Sequence, residues 1–114
     1  MSKAIIKPYE ELERRIYGYV LPGVPSHEGY VKVGETTRET WVRVCEQVGT
    51  VGLTPQLLFD KLARRSDGKW FRDRDLHRFY ELHGITKAKL GAATEWFYFD
   101  GFPQRAEELA AQNH

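Results

Sequence analysis

The order of segments along the chain predicts an α+β fold: a small, mainly antiparallel sheet of three to four strands, flanked by helices. Segments with strand composition and segments with helical spacing follow one another without a repeating strand–helix–strand unit. The chain has 114 residues, of which 41% are hydrophobic. This is the size of one domain, so we expect a single domain over residues 1–114 with its core at about 15–100.

A pair of strands opens the predicted sheet. IYGYVL (16–21) is aromatic and β-branched, and YVKVG (30–34) alternates apolar with polar residues, as strands do. PGVPSHEG (22–29), which connects them, is dense in turn residues. We therefore expect the two strands to pair antiparallel across this loop.

TTRETWVRVCEQV (36–48) predicts the first helix, with Thr36 or Thr37 as its N-cap and Gly49 at its end. Four residues recur at helical spacing and predict one buried face: Trp41, Val44, Cys45 and Val48.

Two residues of this helix are of particular interest. Arg43 lies roughly 200° from Trp41 around the helix, which places it on the side opposite the apolar face. Cys45 is the only cysteine of the chain, so an internal disulfide is excluded, and a small buried thiol is expected.

The second half of the chain contributes the remaining elements. QLLFDKLA (56–63) matches helical and strand spacing about equally, and Asp67-Gly68 predicts a turn. We expect four further segments: a helix at DRDLHRFYELHG (73–84), a loop at ITKAKLGA (85–92), a strand at ATEWFYF (93–99) and a short helix at PQRAEELAAQ (103–112).

Charge is distributed unevenly along the chain. The net charge is only +1, which does not mark a nucleic-acid-binding protein, but residues 61–78 carry seven Lys and Arg against three Asp. This imbalance predicts a local basic patch. No apolar run is long enough for a membrane span, MSKAIIKPYEE lacks the pattern of a secretory signal, and a single cysteine fits a reducing compartment, so we expect a cytoplasmic protein.

Three short motifs follow one another in the first half of the chain. They are Ile16-Tyr17, Lys32-Val33-Gly34 in the second strand, and Arg43, nine residues past Gly34. Together they resemble the GIY-YIG endonuclease superfamily, in the phage-type branch where KIG is usual. Arg15 stands where that family has the Gly of GIY.

Two later motifs resemble the same branch, which is found on restriction enzymes and helicases. Asp73 and His77 resemble its carboxylate–x3–His helix, and Glu95-Trp96-Phe97 resembles its closing EWF strand. The resemblance covers roughly residues 15–100, and it implies that residues 56–63 form the third strand.

The resemblance implies a domain that hydrolyses a DNA phosphodiester bond with one divalent metal ion, Mg²⁺ or Mn²⁺. In that chemistry Tyr17 would orient or deprotonate the attacking water, Lys32 would hydrogen-bond a phosphate or help to activate the water, and Arg43 would clamp the phosphate. Asp73 would hold the metal, and His77 would touch phosphate or support Asp73.

The resemblance also implies DNA as a partner, together with a helicase or restriction subunit in the same or a neighbouring chain. Six basic residues are expected to contact the nucleic acid: Arg38, Arg64, Arg65, Lys69, Arg72 and Arg74. The family usually has Glu at the position of Asp73, which is one methylene shorter. A catalytically degenerate DNA-binding module is therefore the alternative function.

The individual residues also have structural alternatives. Tyr17 could be a core aromatic, Lys32 a solvated strand residue and Arg43 an ordinary exposed helix charge. Asp73 could be the N-cap of its helix, and His77 a structural histidine. A small interaction domain that does not contact DNA is a third possibility.

Overall fold

The computed structural model describes residues 13–49, 54–90, 93–99 and 104–112. In chain order the elements are β1 (Arg15–Val20), β2 (Tyr30–Thr36), α1 (Thr40–Val48), β3 (Gln56–Leu62), α2 (Asp73–Leu82), β4 (Thr86–Leu90), β5 (Ala93–Tyr98) and α3 (Gln104–Gln112), with one turn of 3-10 helix at Pro25–His27. None of the helices in these ranges combines the length and apolar character that crossing a membrane requires.

The five strands form one sheet in the order β3-β1-β2-β5-β4, and every neighbouring pair is antiparallel. This confirms the α+β class and the antiparallel pairing of β1 with β2. The ambiguous segment 56–63 forms strand β3, which pairs with β1. The expected number of strands, three to four, is wrong.

The additional strand is β4, which lies in the segment 85–92 that was expected to be a loop. Thr86 pairs with Tyr98 of β5, and Lys87 pairs with Phe97. This strand has five residues and lies at the edge of the sheet. Lysine is common at such edges because its charge opposes pairing with another chain. A short strand of this composition has a weak sequence pattern, although the strand it pairs with, β5, is the next one along the chain.

Helix α1 begins at Thr40, four residues later than expected. Thr36, one of the two residues expected to cap the helix, instead continues β2 and pairs with Arg15 of β1. The cap is Glu39, whose side chain accepts a hydrogen bond from the backbone nitrogen of Trp41. The pairing of β2 with β1 therefore delays the start of the helix.

The sheet carries a separate hydrophobic core on each face. The face that packs against α2 and α3 is called the α2 face, and its core includes Ile16, Val31, Val33, Phe59, Leu76, Tyr80, Phe97 and Leu109. The face that packs against α1 is called the α1 face, and its core comprises Tyr17, Tyr19, Leu21, Val44 and Trp96. Successive side chains of a strand point to opposite faces, so neighbouring residues of β1 and β2 belong to different cores.

The buried side of α1 differs from the expected one. Thr40 and Val44 are buried, whereas Cys45 is exposed and Trp41 is 43% exposed, so the expected burial of Trp41 and Cys45 is wrong. Residues four apart share a helix face, and the face of α1 that packs on the sheet is the one with Thr40 and Val44. Arg43 therefore borders the buried side instead of lying opposite to it, and its side chain is 41% exposed.

Gly18 of β1 leaves room for an aromatic ring of the core. A Cβ atom at this position would lie 2.3 Å from Cε1 of Phe59, which packs over the glycine from β3. Real side chains do not approach so closely, and the buried ring has little space to move.

We therefore expect Gly18→Ala to lower the free energy of unfolding by about 1–3 kcal/mol through overpacking. Urea denaturation of the two proteins measures this difference. Glu108→Ala, at an exposed position of α3, is the control and should change stability by no more than about 0.5 kcal/mol. Equal stability of Gly18→Ala and the parent chain would contradict the packing described for Phe59.

Candidate functional site

Tyr17 lies at the centre of the α1 face. It pairs with Gly34 of β2 on one side and with Asp60 of β3 on the other, and it is fully buried. Its ring lies over Gly34, because a Cβ atom there would come within 2.7 Å of the phenol oxygen. The glycine of the KVG motif therefore creates the space that the phenol occupies.

The phenol oxygen of Tyr17 is buried and makes no hydrogen bond of good geometry within the described residues. Burial raises the pKa of this phenol above 10.0; Arg43 and Gln47 partly oppose that shift, and the charge of Asp73 adds to it. Arg43, Gln47 and Asp73 therefore all lie within electrostatic reach of the phenol. An unsatisfied buried hydroxyl costs about 1–3 kcal/mol, and such groups often mark functional sites.

Arg43 reaches this region from α1. Its Nη1 lies 3.6 Å from Oε1 of Glu46, and the same carboxylate oxygen lies 2.6 Å from Nη2 of Arg38. Both pairs are partly exposed, so they are weak and screened by salt. The guanidinium of Arg43 therefore borders Tyr17 on one side and solvent on the other, a position from which it can meet an anion that approaches the phenol.

Lys32 is buried on the same face. It pairs with Tyr19 of β1 and Trp96 of β5, and it is 6% exposed. The alternative of a solvated strand residue does not hold. Lys32 therefore shares the α1 face with Tyr17, but the charges that act on the pKa of the phenol are those of Arg43 and Asp73.

Glu35 is a residue of the candidate site that no sequence motif indicated. Its carboxylate accepts hydrogen bonds from Nε of Arg72, at 3.0 and 2.9 Å, and from the backbone nitrogen of Asp73, at 2.7 Å. Nη2 of Arg72 lies 2.6 Å from it, and Nε of Arg14 lies 3.9 Å away. The only signal in the sequence is an acidic residue directly after Gly34. This side chain joins the end of β2 to the start of α2.

The pKa of Glu35 reflects these contacts. Burial alone would raise it, but the hydrogen bonds from Arg72 and Asp73 and the charges of Arg72 and Arg14 hold it below 4.5. A carboxyl group with a lowered folded-state pKa contributes stability above its unfolded pKa, and this contribution is lost as the pH falls through the folded value.

Asp73 is the first residue of α2, and its side chain is half-buried. The N-cap is Arg72, so the alternative that Asp73 caps the helix does not hold. Mg²⁺ is commonly bound by one or two carboxylates, with waters and substrate phosphates completing its coordination. Within the described residues no three His, Cys, Asp or Glu side chains form a metal-binding group. Asp73 fits the role of a single protein carboxylate in a site that substrate and water would complete.

His77 lies on the other side of the sheet from Tyr17. It is buried, its Nε2 donates to the carbonyl of Val33 at 3.0 Å, and its ring centroid lies 5.0 Å from that of Phe97. These contacts belong to the core of the α2 face. The structure therefore brings Tyr17 and Arg43 together, places Lys32 on the same face of the sheet, sets Asp73 within electrostatic reach of the phenol, and turns His77 away from it.

The basic residues expected to bind nucleic acid make different contacts in the structure. Arg38 pairs with Glu46, and Arg72 pairs with Glu35. In the connection between β3 and α2, Arg64 donates to the carbonyl of Gly68 and lies over the ring of Trp70, while Arg65 lies over Phe71. Lys69 and Arg74 are exposed. Two of the six residues are thus engaged in ion pairs.

The fold and the site define a small α+β domain with a buried phenol and two cationic side chains on one sheet face and a carboxylate at a helix start nearby. Comparison with protein-family models, curated proteins and solved structures found no match.

We expect Glu35→Gln to lower the free energy of unfolding at neutral pH by about 1.5–3 kcal/mol, because hydrogen bonds to a charged group are lost. The difference from the parent chain should shrink as the pH falls below 4.5, where the carboxylate of the unfolded chain becomes protonated. Urea denaturation over a pH series measures this. Glu108→Gln is the exposed control, and a Glu35→Gln deficit that stays constant with pH would contradict the assignment.

Proposed function

We propose that this chain is a metal-dependent DNA endonuclease domain of the GIY-YIG type. The observation that carries the proposal is the buried, unsatisfied phenol of Tyr17 beside Arg43. The resemblance assigns these two residues to the attacking water and the phosphate, and their proximity supports that assignment. A protein that only gripped the DNA backbone would need exposed cations, but it would not need a buried phenol without a partner.

The raised pKa of Tyr17 defines its part in the reaction. The phenol stays protonated at neutral pH, so in the free protein it serves as a hydrogen-bonding group that orients water. When an anionic phosphate binds, the phenol can donate to a phosphate oxygen or accept from the water. A preorganised donor of this kind acts strongly in a site that excludes bulk solvent.

Arg43 and Lys32 supply the positive charge that a phosphoryl transition state requires. The planar guanidinium of Arg43 can form two parallel hydrogen bonds to phosphate oxygens. Lys32 would contribute a point charge from its buried position on the α1 face. The ion pair of Arg43 with Glu46 is long, at 3.6 Å, and partly exposed, so an entering phosphate can replace it at little cost.

Asp73 would hold the divalent ion, Mg²⁺ or Mn²⁺, which supplies Lewis-acid stabilisation of the leaving oxygen when it is bound. Glu35 holds the backbone of Asp73 through its hydrogen bond to the amide nitrogen. Its negative charge is compensated by Arg72 and Arg14, so Glu35 acts as a positioning residue for Asp73.

The proposal is tested by plasmid nicking over a series of divalent metals. We expect nicking by the parent chain with Mg²⁺ or Mn²⁺, a loss of about 10²–10³-fold in kcat for Arg43→Ala, and no activity for Asp73→Asn. Arg105→Ala, at an exposed position of α3, is the matched control and should retain the parent rate. Binding of DNA without nicking in any metal would favour the degenerate DNA-binding module instead.

Tyr17→Phe separates a catalytic phenol from a structural one. The variant removes only the unsatisfied hydroxyl, so we expect it to lose activity while its free energy of unfolding rises by about 1 kcal/mol. Nicking assays and urea denaturation on the same preparation measure both effects. A variant that nicks DNA at the parent rate would remove Tyr17 from the mechanism, and a destabilised variant would show that the hydroxyl has a structural partner.

A further inference from the structure

A second cationic site lies between α2 and β4. It is a cavity of about 390 Å³, lined by Arg74, Asp75, His77, Arg78, Glu81 and Lys87. This cavity is called the α2–β4 pocket. Arg74 and Arg78 are four residues apart on α2 and therefore share a face of the helix, and Lys87 lies across from them on β4. Three cationic side chains thus surround one hollow.

These three cations have no carboxylate partner within the described residues, whereas several arginines of the domain do. Arg15, Arg38, Arg43 and Arg72 each form an ion pair with a carboxylate. Arg74, Arg78 and Lys87 are exposed and form no ion pair within the described parts of the chain. Three like charges around a hollow repel one another, and an anion between them would relieve that repulsion.

The two acidic side chains of the pocket do not neutralise it. Oδ2 of Asp75 accepts a hydrogen bond from the backbone nitrogen of Arg72 at 2.8 Å, which commits that oxygen to the start of the helix. Glu81 is exposed and also lines the pocket. The buried His77, held by its hydrogen bond to the carbonyl of Val33, completes the lining. The pocket keeps a net positive charge.

We propose that the α2–β4 pocket binds a backbone phosphate of the DNA strand, displaced from the phosphate at Tyr17 and Asp73. This inference rests on the proposed endonuclease function. An α-helix rises 1.5 Å per residue, so Arg78 lies about 7.5 Å beyond Asp73 along α2. The pocket is also lined by His77, which lies on the other side of the sheet from Tyr17, so its phosphate is a different one from the phosphate at Tyr17 and Asp73.

A contact to a distant phosphate acts on substrate binding. We expect Arg78→Gln and Lys87→Gln to weaken the affinity for DNA irrespective of its sequence, and to raise KM in the nicking assay severalfold. Loss of one phosphate contact should reduce the slope of log K against log salt by about 0.9. Arg43→Ala, in contrast, is expected to lower kcat. This split separates the pocket from the reacting centre.

The experiment measures binding of a fluorescently labelled duplex at several NaCl concentrations. It compares the parent chain, Arg78→Gln, Lys87→Gln and the double variant with Arg105→Gln, whose exposed cation lies on α3. Arg78 and Lys87 are both exposed, so their variants should fold, and thermal denaturation checks this. Titration with inorganic phosphate, followed by the NMR signals of the His77 ring, probes the pocket without DNA.

The possible results distinguish this inference from the proposed function. A smaller salt slope for the pocket variants, together with a His77 response to phosphate that the double variant lacks, supports the inference even if the parent chain never nicks DNA. If the parent chain nicks DNA and the double variant has the same KM and the same salt slope, the inference is overturned and the endonuclease function stays intact. An equal fall of the salt slope in Arg105→Gln also overturns the inference, because the effect would then come from the overall charge of the protein and not from the pocket.

Discussion

The carboxylate of Glu35 is the contact on which the arrangement of the site depends. It receives hydrogen bonds from Arg72 and from the backbone nitrogen of Asp73, and it therefore joins the end of β2 to the first turn of α2. Apart from this contact and the hydrogen bond of His77 to the carbonyl of Val33, the described contacts between α2 and the sheet are mainly apolar packing, which has no preferred direction. The position of Asp73 at the helix start, and of the basic side chains that follow it on α2, derives from this link.

The residue before Glu35 has the complementary role. Side chains of β2 alternate between the two faces of the sheet, so Gly34 faces α1 while Glu35 faces α2. Gly34 leaves the space that the phenol of Tyr17 fills, and Glu35 holds the start of α2, where Asp73 lies. Two consecutive residues thereby position groups that come from opposite sides of the sheet, and they do so near the end of β2, beyond the last residue that pairs with β5.

The α1 face carries a polar group that does not benefit stability. The phenol of Tyr17 is buried and has no hydrogen-bond partner within the described residues. Burial of such groups opposes folding unless they are paired. Proteins retain strained polar groups of this kind where they act on a ligand, because a group that is already desolvated and fixed needs no reorganisation when charge develops beside it. This is the physical link between the fold of the domain and the endonuclease function that we propose for it.

The sequence by itself determined the elements whose pattern is local: the β1–β2 pair and the helices over residues 40–48 and 73–82. Tertiary structure alone decided which face of α1 is buried and which contacts Glu35 and His77 make. Periodicity shows that a helix has an apolar stripe, but Trp41 and Cys45 lie beside the stripe that the sheet selects. The ion pair of Glu35 with Arg72 joins residues 37 positions apart, so it depends on two distant chain segments meeting in space, which no local pattern encodes.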